Sequence, residues 1–130
     1  MTMMSTLRLK NVWYFLGAAL TLLVVVASLV PARDLPRLRI SDKLEHVLAY
    51  LALAFWFGGL VAPRGYFRLA LQLLALGGGI EIAQGLMGLG RQADWYDFYA
   101  DTLGVALGLS LCLAGLRHWA AWLEQWPKRR

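Results

Sequence analysis

The sequence predicts an all-α integral membrane bundle of four transmembrane helices, with both termini on the cytoplasmic side. Three observations carry this reading. Of the 130 residues, 59% are hydrophobic and only 16% are charged, against about 25% charged in an ordinary soluble domain. The apolar residues fall into four runs, each close to the ~20 residues a helix needs to cross ~30 Å of hydrocarbon. None of these runs alternates as the ~10-residue strands of a membrane barrel do. The length suits a single domain, residues 1–130. The lone cysteine, Cys112, excludes a disulfide-stapled scaffold.

The first span, 12–30, carries no charge and follows Arg8 and Lys10. It is longer than the ~7–15-residue core of a signal peptide, and no small-x-small pattern precedes Arg33, so it reads as a retained anchor. Pro31 closes it. The second span, 44–62, begins with Glu45 and His46. Ser41 or Asp42 suits its N-cap, and Gly58-Gly59 is its stop signal. Pro63-Arg64-Gly65 turns the chain into the third span, 66–89, which holds Arg68 near one end and Glu81 near the other. Gly77, Gly78 and Gly79 soften that helix just before Glu81. Residues 90–94 lead into the fourth span, 97–116, with Asp97 and Asp101 in its first turns. In the tail, 117–130, Trp119, Trp122 and Trp126 stand at i, i+3 and i+7 beside Arg117, Lys128, Arg129 and Arg130. One tryptophan face flanked by cations is expected to anchor the tail at the inner membrane surface.

The net charge of +5 fits basic flanks at lipid headgroups better than nucleic acid, because no basic surface stands apart from the apolar runs. With the N-terminus inside, Arg8, Lys10, Arg64, Arg68, Arg117, Lys128, Arg129 and Arg130 are cytoplasmic. Arg33, Arg37, Arg39, Lys43 and Arg91 are then outside. The excess of inner lysines and arginines favours this orientation. The first outer loop is nevertheless unusually basic, which suits snorkelling to the interface or attraction of an anionic ligand.

Ionisable residues inside a span cost about 2.5–3.5 kcal/mol each at a helix centre, so their grouping is informative. Asp42, His46 and Tyr50 step by four along one face of the second helix, next to Lys43. Glu81 and Gln84 share a face of the third. Asp94, Asp97 and Asp101 share a face of the fourth, just after Arg91. Antiparallel threading brings all three groups to the extracytoplasmic face. Glu81 lies roughly 13 Å along its helix from the last loop and Asp101 roughly 10 Å along the next, so the two are expected to meet inside the bundle, with His46 and Arg91 nearer the mouth.

Three readings of these residues stay open. They are structural glue, with Lys43 and Arg91 neutralising carboxylates. They line a pocket for a ligand headgroup. Or they catalyse, with His46 as a general base, or with His46, Asp97 and Asp101 around a divalent ion. The sequence shows no recognised ligand motif, so no metal or cofactor is expected. Ala100, Gly104 and Gly108 repeat every four residues and form the expected close-packing face of the fourth helix. That face also suits self-association into a homo-oligomer.

Taken in order, Asp42-Lys43-x-x-His46-x-x-x-Tyr50, Glu81-x-x-Gln84 and Arg91-x-x-Asp94-x-x-Asp97-x-x-x-Asp101-x-x-Gly104 resemble the VanZ-like family. The resemblance runs from about Ser41 to Gly108. It implies a multi-pass protein of the plasma (inner) membrane of the bacterial envelope. The family's founding member is associated with resistance to the glycopeptide teicoplanin. The resemblance implies no settled enzyme activity. This chain carries aspartate at position 101, where the family often has asparagine, and so gains an acid.

The expected function is therefore non-enzymatic. A pocket built from Asp42, Lys43, His46, Tyr50, Glu81, Gln84, Arg91, Asp94, Asp97 and Asp101 faces outward. It binds a lipid-linked cell-wall intermediate or a lipoglycopeptide. Asp42 is expected to cap the second helix and orient Lys43 and His46. The alternatives are a membrane enzyme acting on a lipid-linked substrate, and a structural or oligomeric transport subunit.

Overall fold

The computed structural model describes residues 7–30, 41–88 and 93–129. Every secondary-structure element among them is helical: α1 (Lys10–Leu29), α2 (Asp42–Gly58), α3 (Tyr66–Met87), α4 (Trp95–Leu113) and the short α5 (Trp119–Gln125), with 3-10 turns at Pro63–Gly65, Leu116–His118 and Trp126–Arg129. Among the described residues two helical segments, Lys10–Leu29 and Pro63–Met87, are long and apolar enough to cross a membrane. A third is available if Trp95–Leu113 and Leu116–Gln125, bent by 84° at their junction, count as one.

Local chemistry sets the helix ends. Val30 is extended (φ −68°, ψ 139°), as the residue before a proline prefers. Inside α1 the hydroxyls of Thr21 and Ser28 donate to the carbonyls of Gly17 and Val24, one turn back, so neither is left unpaired in an apolar setting. Ser41, rather than Asp42, caps α2: its hydroxyl accepts the Leu44 N–H at 3.2 Å. Asp42 is the first helical residue, where its charge complements the positive helix end. The expected second span to residue 62 is corrected to a helix ending at Gly58, with Gly59 as C-cap. Gly59 is required there by contact, since a Cβ would run into the indole of Trp119. Helix α3 passes through Gly77–Gly79 unbroken and stops at Gly88, which takes the left-handed conformation (φ 62°) that only glycine adopts cheaply.

The most extensive helix–helix interface is α2 against α4. Gly104 and Gly108 make it possible. A Cβ on Gly104 would strike the Val47 carbonyl, and one on Gly108 would lie 2.6 Å from the Leu51 carbonyl. With buried Ala100 they form the close-packing face expected of this helix. The core around it unites Tyr50, Leu53 and Ala54 with Leu69 and Leu73 of α3 and Val105, Leu109 and Cys112 of α4. Large apolar side chains elsewhere point outward: Phe15 is 71% exposed, Phe67 77% and Leu86 83%. Such a surface is costly in water and suited to lipid.

The tail departs from expectation. Gly115 (φ 121°) turns the chain sharply after α4 and brings the tail back onto α1 and α2. Trp119 folds back against Trp13, Phe55 and Trp56. Its indole N–H donates to the Phe55 carbonyl at 3.2 Å. Trp122 and Trp126 remain exposed. The side chains of Cys112 and Tyr66 likewise reach the carbonyls of Phe55 and Gly58, adding donors at the C-terminal end of α2.

Candidate functional site

The costly residues of the sequence do gather, where the start of α2, the second half of α3 and the start of α4 meet. His46 is the hub. Its Nδ1 is hydrogen-bonded to Asp101 Oδ1 at 2.8 Å, and its Nε2 stands 3.6 Å from Asp97 Oδ2 and 4.0 Å from Asp42 Oδ2.

The α2–α4 seam explains this register. Asp97 and Asp101 are one turn apart on α4, and His46 precedes Val47, whose carbonyl Gly104 lets approach. Tyr50, one turn on from His46, is buried on the same seam. Gly77 of α3 faces this point. A Cβ there would lie 2.8 Å from Asp101 Oδ2 and 3.4 Å from the Tyr50 hydroxyl, so glycine keeps room for the carboxylate.

Glu81 is completely buried, as is Asp101 to within 1%. Glu81 Oε2 accepts the Asp94 N–H at 2.8 Å, which ties α3 to the turn before α4. Its Oε1 has no hydrogen-bond partner. At the rim, Lys43 donates to Asp94 Oδ2 at 2.6 Å and to Asp97 Oδ1. Those two hydrogen bonds hold the Lys43 ammonium well above its ordinary pKa. The same Lys43 hydrogen bond holds Asp94, which also caps α4 through the Tyr96 N–H, below the ordinary carboxylate value.

Two overlapping triplets have ligand-type geometry, with all their donor atoms within 4.8 Å of one another: Asp42, His46 and Asp97 toward the rim, and His46, Glu81 and Asp101 inside. The arrangement is rich in acceptors. Among the described residues, Asp42, Glu81, Asp94, Asp97 and Asp101 stand against one lysine, Lys43.

Of the residues the sequence singles out, Asp42, Lys43, His46, Tyr50, Glu81, Asp94, Asp97 and Asp101 converge here. His46 is hydrogen-bonded to Asp101 and is the more exposed of the two, its side chain 12% exposed against 2%. One expectation changes: Gln84 does not join the cluster. It is buried, and its Nε2 donates to the Ser28 carbonyl of α1 at 2.7 Å. Arg91, and with it Arg33, Arg37 and Arg39, lie outside the described residues.

Sequence reasoning misses one acid. Glu124 of α5 accepts the N–H groups of Arg8 and Leu9 and the Trp13 indole N–H at 2.8–3.0 Å, tying the tail to the start of α1. Burial raises its pKa, but those three donors outweigh that and hold it below the ordinary value. Its only signal in the sequence is that it is the one acid of the tryptophan-rich tail. No protein-family model, curated protein or solved structure matches the chain.

Proposed function

We propose that this chain is a VanZ-like, four-span protein of the bacterial inner membrane, with both termini cytoplasmic, that binds an amphipathic envelope ligand at its polar end. The observation that carries the reading is His46 held between Asp97 and Asp101 beside the fully buried Glu81. Packing alone does not call for four ionisable groups in an apolar bundle, and intramembrane ionisable residues mark functional sites by default. The orientation rests on the lysine and arginine distribution. The surplus of carboxylates favours a ligand group that presents hydrogen-bond donors, such as sugar hydroxyls or an ammonium. A lipid-linked cell-wall intermediate or a lipoglycopeptide offers both, with an acyl chain for the lipid-facing surface.

The test pairs membrane abundance with protection of cells challenged with a lipoglycopeptide, for Glu81→Gln, His46→Ala and Asp101→Asn. Wild-type abundance with lost protection supports the pocket. Lost abundance in all three supports glue. Absence of protection by the wild type refutes the envelope role. The hydrogen bond between His46 and Asp101 also favours a second reading, His46 as general base toward a lipid-linked substrate. Turnover of such a substrate by wild-type membranes, absent in His46→Ala, would establish it.

A further inference from the structure

We infer that His46, Glu81 and Asp101 form a binding site for one divalent metal ion, a property that goes beyond the envelope reading and stands without it. An imidazole nitrogen and one oxygen from each carboxylate lie within 4.8 Å of one another. Metal–ligand bonds of roughly 2.0–2.2 Å put two ligands of one ion up to about 4.4 Å apart. Closing the triplet on an ion therefore needs only small side-chain shifts.

A second observation is independent of the acid cluster. Among the described residues, Glu81 Oε1 is the one buried side-chain nitrogen or oxygen without a hydrogen-bond partner. It belongs to a side chain with no solvent exposure. The Asp94 N–H on Oε2 fixes the carboxylate and leaves Oε1 available to the triplet. Charge agrees with geometry. Two carboxylates, one neutral imidazole and a divalent ion sum to zero, the state that an apolar interior penalises least. A route also exists. The His46 side chain is 12% exposed, and beyond it lie Asp97 and the 56% exposed Asp42. These outer acids lead a cation inward. One nitrogen and two oxygen donors, with no thiolate, suit Mn²⁺ or Zn²⁺ rather than a thiophilic ion.

The experiment uses the purified full-length chain in nanodiscs, stripped with chelator and titrated with Mn²⁺, free ion being read by its electron paramagnetic resonance signal. The expected result is one Mn²⁺ per chain, displaced by Zn²⁺. Glu81→Gln and Asp101→Asn are each expected to weaken binding at least about tenfold, since lost outer-sphere partners alone cost ~10–100-fold. The exposed Asp42→Asn is expected to change it by less than about threefold. Failure of the wild type to take up either ion stoichiometrically overturns the inference, whatever the variants do. So does unchanged affinity in Glu81→Gln or Asp101→Asn, or a loss confined to Asp42→Asn. If Glu81→Gln does not fold, Asp101→Asn and the wild-type titration carry the test.

Discussion

Replacing Gly104 with alanine tests whether the α2–α4 seam sets the polar site. The new Cβ would lie 2.9 Å from the Leu51 amide nitrogen and 3.1 Å from Tyr50 Cβ, and closer still to the Val47 carbonyl. Two of these three neighbours are backbone and cannot rotate away. Ordinary contact begins near 3.4 Å, so relieving the Leu51 contact alone parts the helices by about 0.5 Å. Overpacking of this kind costs ~1–3 kcal/mol, and the backbone neighbours place Gly104→Ala in the upper half of that range. At about 1.4 kcal/mol per factor of ten, the folded-to-unfolded ratio falls roughly 30–140-fold.

The same parting falls on His46 and Asp101, three residues or fewer from the contact. Their 2.8 Å hydrogen bond lengthens past the ~3.2 Å limit of good geometry. Reversible unfolding in bicelles measures the first effect. The imidazole Nδ1–H resonance of His46 measures the second. Gly79→Ala is the control, because a Cβ there meets nothing within 4 Å. A Gly104→Ala protein within about 0.5 kcal/mol of Gly79→Ala, with the His46 resonance unmoved, would refute the reasoning.

Gln84→Met keeps volume and removes only the hydrogen bond to the Ser28 carbonyl. It is expected to lower stability by about 1–3 kcal/mol in the same unfolding assay, with Mn²⁺ affinity unchanged, because Gln84 lies outside the His46 cluster. The Lys43–Asp94 pair sets a pH window. Asp94 is held below its ordinary 3.8, so its contribution is present above that value and is lost as pH falls through and beneath it. Lys43 is held above its ordinary 10.5, so its contribution is present below that value and fades as pH rises past it. The pair's contribution is expected to be constant between these limits, and Lys43→Met to diminish the fall on the acid side of a melting-temperature profile. Glu124→Ala removes the acceptor of three N–H groups, and is expected to release the tail, read as red-shifted tryptophan emission and faster proteolysis after residue 115.

The helices were legible because their signals are local. Pro31, Pro63 and Gly90 bound apolar stretches, and the observed helices fall within four residues of the expected spans at each end. The convergence of α2 and α4 was also legible. Acids and His46 spaced by three and four lie on single faces, and the Ala100, Gly104 and Gly108 face says where another backbone approaches. Gln84 was not legible. Its i, i+3 spacing from Glu81 gives a shared face, but that face is wide enough for one side chain to reach α4 and the other α1. The packing of Trp119 was not legible either. Gly115 turns the chain before the tail begins, and spacing within the tail does not tell which of its side chains meets α1 and α2. The Glu124 tie spans more than 110 residues, a separation no periodicity reaches.

The distinction between glue and site comes down to a difference between single and paired substitutions. If His46 and Asp101 were present only to hold α2 to α4, an apolar pair would serve as well, since replacing a buried ionic pair with packed apolar groups is often neutral or stabilising. Removing one partner is different, because it strands a charge. His46→Leu leaves Asp101, with a side chain 2% exposed, without its donor, and such losses cost ~3–5 kcal/mol. His46→Leu alone is therefore expected to lower membrane abundance, and His46→Leu with Asp101→Ala to recover most of it. The recovered double variant then separates the two roles. If it also regains protection against a lipoglycopeptide, the polar pair is dispensable glue and the proposed pocket fails. If it returns to the membrane and stays inactive, the chain retains the pair for what it binds, because the fold is shown not to need it.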